Sequence, residues 1–256
     1  PNSSNSWESL VTTNPGAWFD EEKKEVIMLY RAAGNDNEHR ICFGIAISKN
    51  GYDFKRLSEQ PVFSPSRDGW DSGGVEDPRI IKFGDYYFIT YAAVSHSPGR
   101  YWENNGNRHL PVGLPDETPI GVRDNKTRTG LVITKDFKTF KRVGYITDPV
   151  IDDRDVIIFP EKVNGKFVTL HRPGEWVGQK YECEKASIWI ATSDDLLEHK
   201  KLQLLAQPVS GWEFDKIGGA APPIKTEAGW LMLYHGVDKQ KKYRVGAMLL
   251  DIHNPA

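Results

Sequence analysis

Apolar positions along this chain fall in short runs rich in β-branched and aromatic residues, cut by Gly, Pro, Asn and Asp. The first four are EVIMLYRAA (25–33), ICFGIAIS (41–48), YYFITYAAV (86–94) and TGLVIT (129–134). The next four are KFVTLHRP (166–173), SIWIATS (187–193), GWLMLYHGV (229–237) and YRVGAMLLD (243–251). Helical spacing of apolar residues is scarce, so the pattern predicts an all-β chain.

The runs pair, and the pairs repeat. One strand opens with a Gly turn into an aromatic-apolar run, as in FGDYYFITY, VNGKFVTLH and EAGWLMLYH. A second ends in a charged turn and a return, as in ISKNGYDFKRL, ITKDFKTFKRV and ATSDDLLEHKKL. The pattern recurs near Asn14, Glu76, Phe159 and Ala220. Repeats of roughly 60 residues, each one supersecondary unit, predict the blades of a β-propeller. Four copies are present, and the last stops at DIHNPA as though a further blade were to follow.

Aligning the repeats places Arg31, Ala92, Arg172 and His235 in equivalent positions at the ends of apolar strands. Such a set predicts cationic groups gathered near a propeller axis; the competing reading is a structural salt bridge at each. Polar residues also open the inner strands: Asn14-Pro15, Glu76-Asp77-Pro78-Arg79, Arg154-Asp155 and Lys216. Proline, lacking an N–H, suits a strand's first residue. Asp77 is the sharpest candidate. A carboxylic acid in a partly apolar channel can serve as general acid, although neighbouring cations favour its ionised form. Strand alternation expects Glu76 on the opposite face and Arg79 back on the face of Asp77. An Asp-Arg pair that only ties two blades is the alternative.

Composition narrows the partners. At 256 residues the chain has ample core for one large domain or two small ones, and the repeats favour a single propeller over 1–256. A formal charge of −2 argues against general nucleic-acid binding. No apolar run approaches the roughly 18 residues a membrane helix needs, so a soluble chain is expected. Cys42 and Cys183 share no metal spacing, and the seven histidines form no short ligand pair, so no metal is expected. Two isolated cysteines favour a reducing, cytoplasmic setting, although the chain opens PNSSNSW without Met. No Gly-rich loop precedes a helix, so no nucleotide cofactor is expected. One long polar insert, 95–128, carries Tyr101, Trp102, Asn104, Asn105, Arg108 and His109. Loops of this length are functional lids or disordered; a lid above an active site is the functional expectation.

Several long motifs, in order, resemble glycoside hydrolase family 130, the β-mannoside phosphorylases and related β-mannosidases. They are NPGAW, MLYRAAG and HRICFGIAISKNG, then GGVEDPRIIKFGDYYFITYAA, RDVIIFPEKVNGKFVTLHRP and KIGGAAPPIKTEAGWLMLYHGV. The resemblance runs from about Asn14 to the end. It implies a five-bladed β-propeller with an axial active site, the C-terminal part of the last blade missing here. It also implies that Asp77 is the general acid, protonating the glycosidic oxygen through the mannose 3-hydroxyl. Arg40, Arg154, Lys216 and His235 match positions that hold inorganic phosphate. Asn14 and Arg31 match positions near the mannose subsite, and Arg79 and Tyr91 join them as substrate-binding candidates.

The chemistry agrees. A phosphorylase needs no general base, because its nucleophile is already an anion, but it needs cations to hold that anion in line. An inverting hydrolase needs a second carboxylate as base. One acid with a basic cluster therefore predicts an inverting phosphorylase. It would act on a β-linked manno-oligosaccharide or mannosyl-glucose and use inorganic phosphate as co-substrate. Asp155 stands where some of the family's phosphorylases have Asn; it must turn away or pair with Arg154, and it keeps a hydrolase reading open, with Glu161 a weaker base. A non-catalytic mannoside-binding propeller is the third reading, and homo-oligomerisation is left open.

Overall fold

A computed structural model of the chain describes residues 1–67, 69–95, 99–100, 126–148 and 150–256. Residues 96–98 and 101–125, which carry most of the long insert and the expected lid, lie outside the described residues.

Each repeat folds as an antiparallel sheet. The first holds β1 (Val11–Asp20), β2 (Glu25–Ala33), β3 (Cys42–Ser48) and β4 (Lys55–Arg56), in that order. The second holds β5 (Gly74–Phe83), β6 (Tyr86–Val94), β7 (Arg128–Thr134) and β8 (Phe140–Tyr145). The third holds β9 (Asp153–Ile158), β10 (Phe167–Pro173), β11 (Ile188–Ser193) and β12 (His199–Ala206). In the fourth, β13 (Lys216–Gly219) and β14 (Ile224–Thr226) both pair with β15 (Gly229–Val237), which pairs in turn with β16 (Tyr243–Leu250).

The middle strands are apolar on both faces because both are covered. Ile27 and Leu29 of β2, Val75 and Ile80 of β5, and Ile89 and Tyr91 of β6 share one buried cluster between the first and second sheets. Ile81, Leu131, Val156 and Ile158 fill the space between the second and third. Ile157, Leu170, Ile190, Ile217, Trp230 and Met232 fill that between the third and fourth. Sheets stacked face to face through such layers give an all-β, propeller-like arrangement.

The described residues form four blades, where five were expected. The repeat count in the sequence was itself four; the fifth came from the family resemblance. The outer turns are built alike. Asn50, Asp136 and Asp195 each accept two backbone N–H bonds across the turn that follows β3, β7 and β11, at 2.8–3.0 Å. Asp251 makes the same turn after β16, at 2.8 and 2.7 Å.

No described helix is long and apolar enough to cross a membrane.

Candidate active site

The inner strands share a local device. β1 and β5 slip register between Thr13 and Gly16 and between Glu76 and Arg79, and β9 pairs with β10 across a slip between Leu170 and Arg172. At each slip stands a left-handed residue: Asn14 (φ 43°), Asp77 (φ 54°) and Asp155 (φ 55°). Asn and Asp tolerate this conformation better than other side chains with a Cβ. The bulge breaks strict alternation, so two successive side chains turn toward one place.

That place is a cavity of about 650 Å³ where the inner strands begin and the second strands end. Asn14, Glu76, Asp77 and Arg79 line it from the first two blades, with Arg31 of β2. Arg154, Asp155, Arg172, Lys216 and His235 line it from the third and fourth, with Tyr243. The four repeat-equivalent positions Arg31, Ala92, Arg172 and His235 all reach it. They stand across from Thr13, Glu76, Arg154 and Gly218 in the strand pairings.

Two electrostatic groups divide the cavity. On one side Asp77 Oδ1 accepts hydrogen bonds from Asn14 Nδ2 at 2.9 Å and Arg31 Nη1 at 3.0 Å. Arg31 Nη2 also lies 3.2 Å from Glu76 Oε1. Glu76 therefore faces the cavity and not the opposite face, because the bulge cancels the alternation expected there. Arg79 does not hold Asp77: among the described residues no bond joins them. It reaches the other side, with Nη2 4.0 Å from Asp155 Oδ1.

On that side Arg172 Nε donates to Asp155 Oδ2 at 2.5 Å, and His235 Nε2 lies 3.7 Å from the same oxygen. Burial alone would raise the pKa of Asp155. The charges of Arg172, His235 and Arg79 outweigh it and hold the carboxyl well below the usual range. Burial lowers the pKa of His235, as do Arg172 and Lys216, while Asp155 opposes them. Gly218 permits this crowding. A Cβ there would stand 2.5 Å from Asp155 Oδ2 and 2.7 Å from His235 Cε1.

Asp155 thus pairs with Arg172, not with Arg154. Arg154 makes a two-pronged bond to Asp152, Nε to Oδ1 and Nη2 to Oδ2, both at 2.7 Å. Lys216 has no carboxylate partner among the described residues; its Nζ sits 5.4 Å from the centre of the Tyr243 ring.

Three expected residues lie elsewhere. Arg40 is 43% exposed on the connection before β3, 3.6 Å from Glu38, and does not line the cavity. Tyr91 is 1% exposed inside the first inter-blade core, and its hydroxyl donates to Asp71 at 2.8 Å. Its neighbour Ala92 already faced the cavity, so alternation sent Tyr91 inward. Glu161 pairs with Lys225 at 2.5 Å on the surface and cannot serve the cavity as a base. Tyr243 and Asp152 were not expected. The run DDRD (152–155) carried the signal for Asp152; nothing in the sequence marked Tyr243. No cluster of metal-ligating residues occurs among the described residues.

This geometry accompanies a family match. The chain matches the model of glycoside hydrolase family 130, described as beta-1,4-mannooligosaccharide phosphorylase, over residues 3–111 and 118–255. It belongs to that family. A beta-1,2-mannobiose phosphorylase of Listeria innocua is 36% identical over 215 residues, covering 82% of this chain and 49% of that protein. A 1,2-beta-oligomannan phosphorylase of Thermoanaerobacter sp. is 31% identical over 262 residues, covering 100% of this chain and 74% of that protein. The solved structure of the Listeria innocua beta-1,2-mannobiose phosphorylase with beta-1,2-mannobiose matches with a TM-score of 0.70 at 27% identity. That match covers 94% of this chain and 72% of the solved one. The chain therefore spans about half the length of the first relative and about three quarters of the second.

Proposed function

We propose that the chain carries the active site of an inverting β-mannoside phosphorylase. Asp77 is the general acid that delivers a proton toward the glycosidic oxygen. Arg154, Arg172, Lys216 and His235 hold inorganic phosphate opposite it. Asn14, Arg31 and Arg79 border the mannose. A single in-line displacement by phosphate inverts the anomeric centre and releases α-mannose 1-phosphate and a shortened acceptor.

The observation that carries this reading is the division of one cavity into an acid side and a cation side. An inverting hydrolase needs a second carboxylate free to take a proton from water. Asp155 is the carboxylate on the cation side, and it is bound to Arg172 and held ionised, a poor base. Lys216, unpaired by any described carboxylate, is a ready point charge for a dianion. Phosphate must also draw Arg154 from Asp152, and a second anion of higher charge can do so. The activities for which two of the relatives are named make β-1,2-mannobiose the first substrate to try.

The test is product release from β-1,2-mannobiose with and without inorganic phosphate. The expected outcome is α-mannose 1-phosphate, strictly dependent on phosphate. Free mannose formed at the same rate without phosphate would overturn the reading in favour of hydrolysis.

A further inference from the structure

An ionised carboxylate is an odd neighbour for a phosphate. Asp155 is 8% exposed at its side chain and lines the cation side of the cavity. Its two oxygens differ. Oδ2 is committed to Arg172 Nε at 2.5 Å and faces His235 Nε2 at 3.7 Å. Oδ1 has Arg79 Nη2 at 4.0 Å, beyond hydrogen-bond reach. Among the described residues no donor bonds Oδ1, yet it is not one of the buried polar atoms sealed without a partner. Its lone pairs therefore open on the cavity.

A carboxylate without a proton can only accept hydrogen bonds. Set beside a bare oxyanion it repels. Set beside an oxyanion that still carries a hydroxyl, it accepts that proton's bond and attracts. The surrounding cations do not distinguish the two cases, since every oxyanion of like charge satisfies them equally. Asp155 does distinguish them. This is selectivity by a built-in repulsive element.

Resting on the reading of the cavity as a phosphate site, we propose that Asp155 reads the proton on the incoming anion. The site takes a hydrogen-bearing tetrahedral oxyanion whose hydroxyl donates to Asp155 Oδ1. It rejects anions of the same shape that carry no proton. Phosphate and arsenate both keep at least one proton near neutral pH. Sulfate and monofluorophosphate keep none, and monofluorophosphate matches monohydrogen phosphate in charge and shape. The bulge at Asp155 and the missing Cβ of Gly218 are what bring this carboxylate among the cations.

A purely structural Asp155, present to anchor Arg172, would not sort anions by their protons. The experiment is calorimetric titration of the full chain at pH 7 with phosphate, arsenate, sulfate and monofluorophosphate, repeated on Asp155→Asn. Buried polar groups left unpaired discriminate strongly, so sulfate and monofluorophosphate should bind at least about 100-fold more weakly than phosphate and arsenate. In Asp155→Asn, whose amide can donate as well as accept, the gap should close to within about 10-fold. Sulfate or monofluorophosphate binding the wild-type chain within about 10-fold of phosphate would overturn the proposal and leave the phosphorylase reading standing. An unchanged gap in a folded Asp155→Asn would overturn it too. If the variant does not fold, the monofluorophosphate-to-phosphate ratio of the wild-type chain decides alone. Failure of all four anions to bind would remove the phosphate site itself, and the phosphorylase reading with it.

Discussion

Asp77 enters the cavity with one oxygen already spoken for. Asn14 and Arg31, both from the first blade, donate to Oδ1 at 2.9 and 3.0 Å. Among the described residues Oδ2 accepts nothing, so under the proposed mechanism it is the oxygen left to deliver the proton. Two donors on Oδ1 fix the plane of the carboxyl, and general acid catalysis depends on that aim as much as on acidity. Asp77→Asn keeps the shape and the Oδ1 acceptor but has no acidic proton. It should lower kcat for phosphorolysis by about 10²–10⁴-fold, the usual worth of a positioned acid. Phosphate affinity should hold, because the cations that would bind phosphate belong to the third and fourth blades. Steady-state kinetics beside a phosphate titration separates the two. A variant retaining kcat within about 10-fold would remove Asp77 from the acid role.

At the scale of the strand, the sequence was easiest to read in the continuous apolar runs of the middle strands. The runs at 25–33, 86–94 and 229–237 became β2, β6 and β15 with those bounds. The four repeat-equivalent positions met in one cavity because each stands one or two residues before the end of its blade's second strand. Reading failed where a left-handed residue breaks the period. Glu76 turned inward, and Asp155 found Arg172 on the neighbouring strand, since a bulge is a property of pairing and not of one strand's pattern. Tyr91 was misplaced by ignoring the alternation that Ala92 already obeyed. Arg40 lies on a connection, where no period constrains direction.

The third blade holds a further feature of this kind, a buried polar chain. Asp153 Oδ2 meets His171 Nδ1 at 2.8 Å, His171 Nε2 meets Thr169 Oγ1 at 2.8 Å, and Thr169 Oγ1 meets His199 Nδ1 at 3.2 Å. Burial first, and then the charge of His171, lowers the pKa of His199 to about 4. A folded value below the unfolded one of about 6.5 means that the unfolded chain binds the extra proton. The blade should therefore lose stability as pH falls from about 6.5 to about 4, and no further on this account below that. His199→Phe keeps a ring against His171 and removes the titration. Thermal melting at pH 7 and pH 4.5 should show a smaller acid-induced drop in the variant; an equal drop would place the acid sensitivity elsewhere.

Among the described residues no strand ladder crosses from one blade to the next; an isolated bridge joins Ala186 to Lys216, and the Val75 N–H donates to the Ile41 carbonyl at 3.2 Å. The molecule is therefore held by apolar layers with side-chain bonds set into them. Between the second and third blades, Thr90 Oγ1 donates to the Val156 carbonyl at 2.7 Å and Thr129 Oγ1 to that of Asp153 at 2.9 Å. Between the first and second, Tyr87 donates to Asp20 Oδ2 at 2.9 Å. This last bond aligns the two blades whose residues meet at Asp77, so it bears on the site as well as on the fold. Burial would raise the pKa of Asp20. The backbone N–H of Lys23, the Tyr87 hydroxyl and the Lys23 ammonium outweigh it and bring the value to about 2. A depressed carboxyl contributes stability above its unfolded value of about 3.8 and loses it as pH falls toward 2. Tyr87→Phe removes a donor to a buried charge, which should cost about 1–3 kcal/mol at pH 7. Part of that cost belongs to the ionised form alone. The stability gap between wild type and variant should therefore narrow at pH 3, where the variant's carboxyl, less depressed, is already partly protonated. Urea unfolding of both chains at the two pH values measures the gap. A gap that stays constant would mean that the hydroxyl contributes equally whether Asp20 is ionised or protonated, and so makes no charge-assisted bond across the seam.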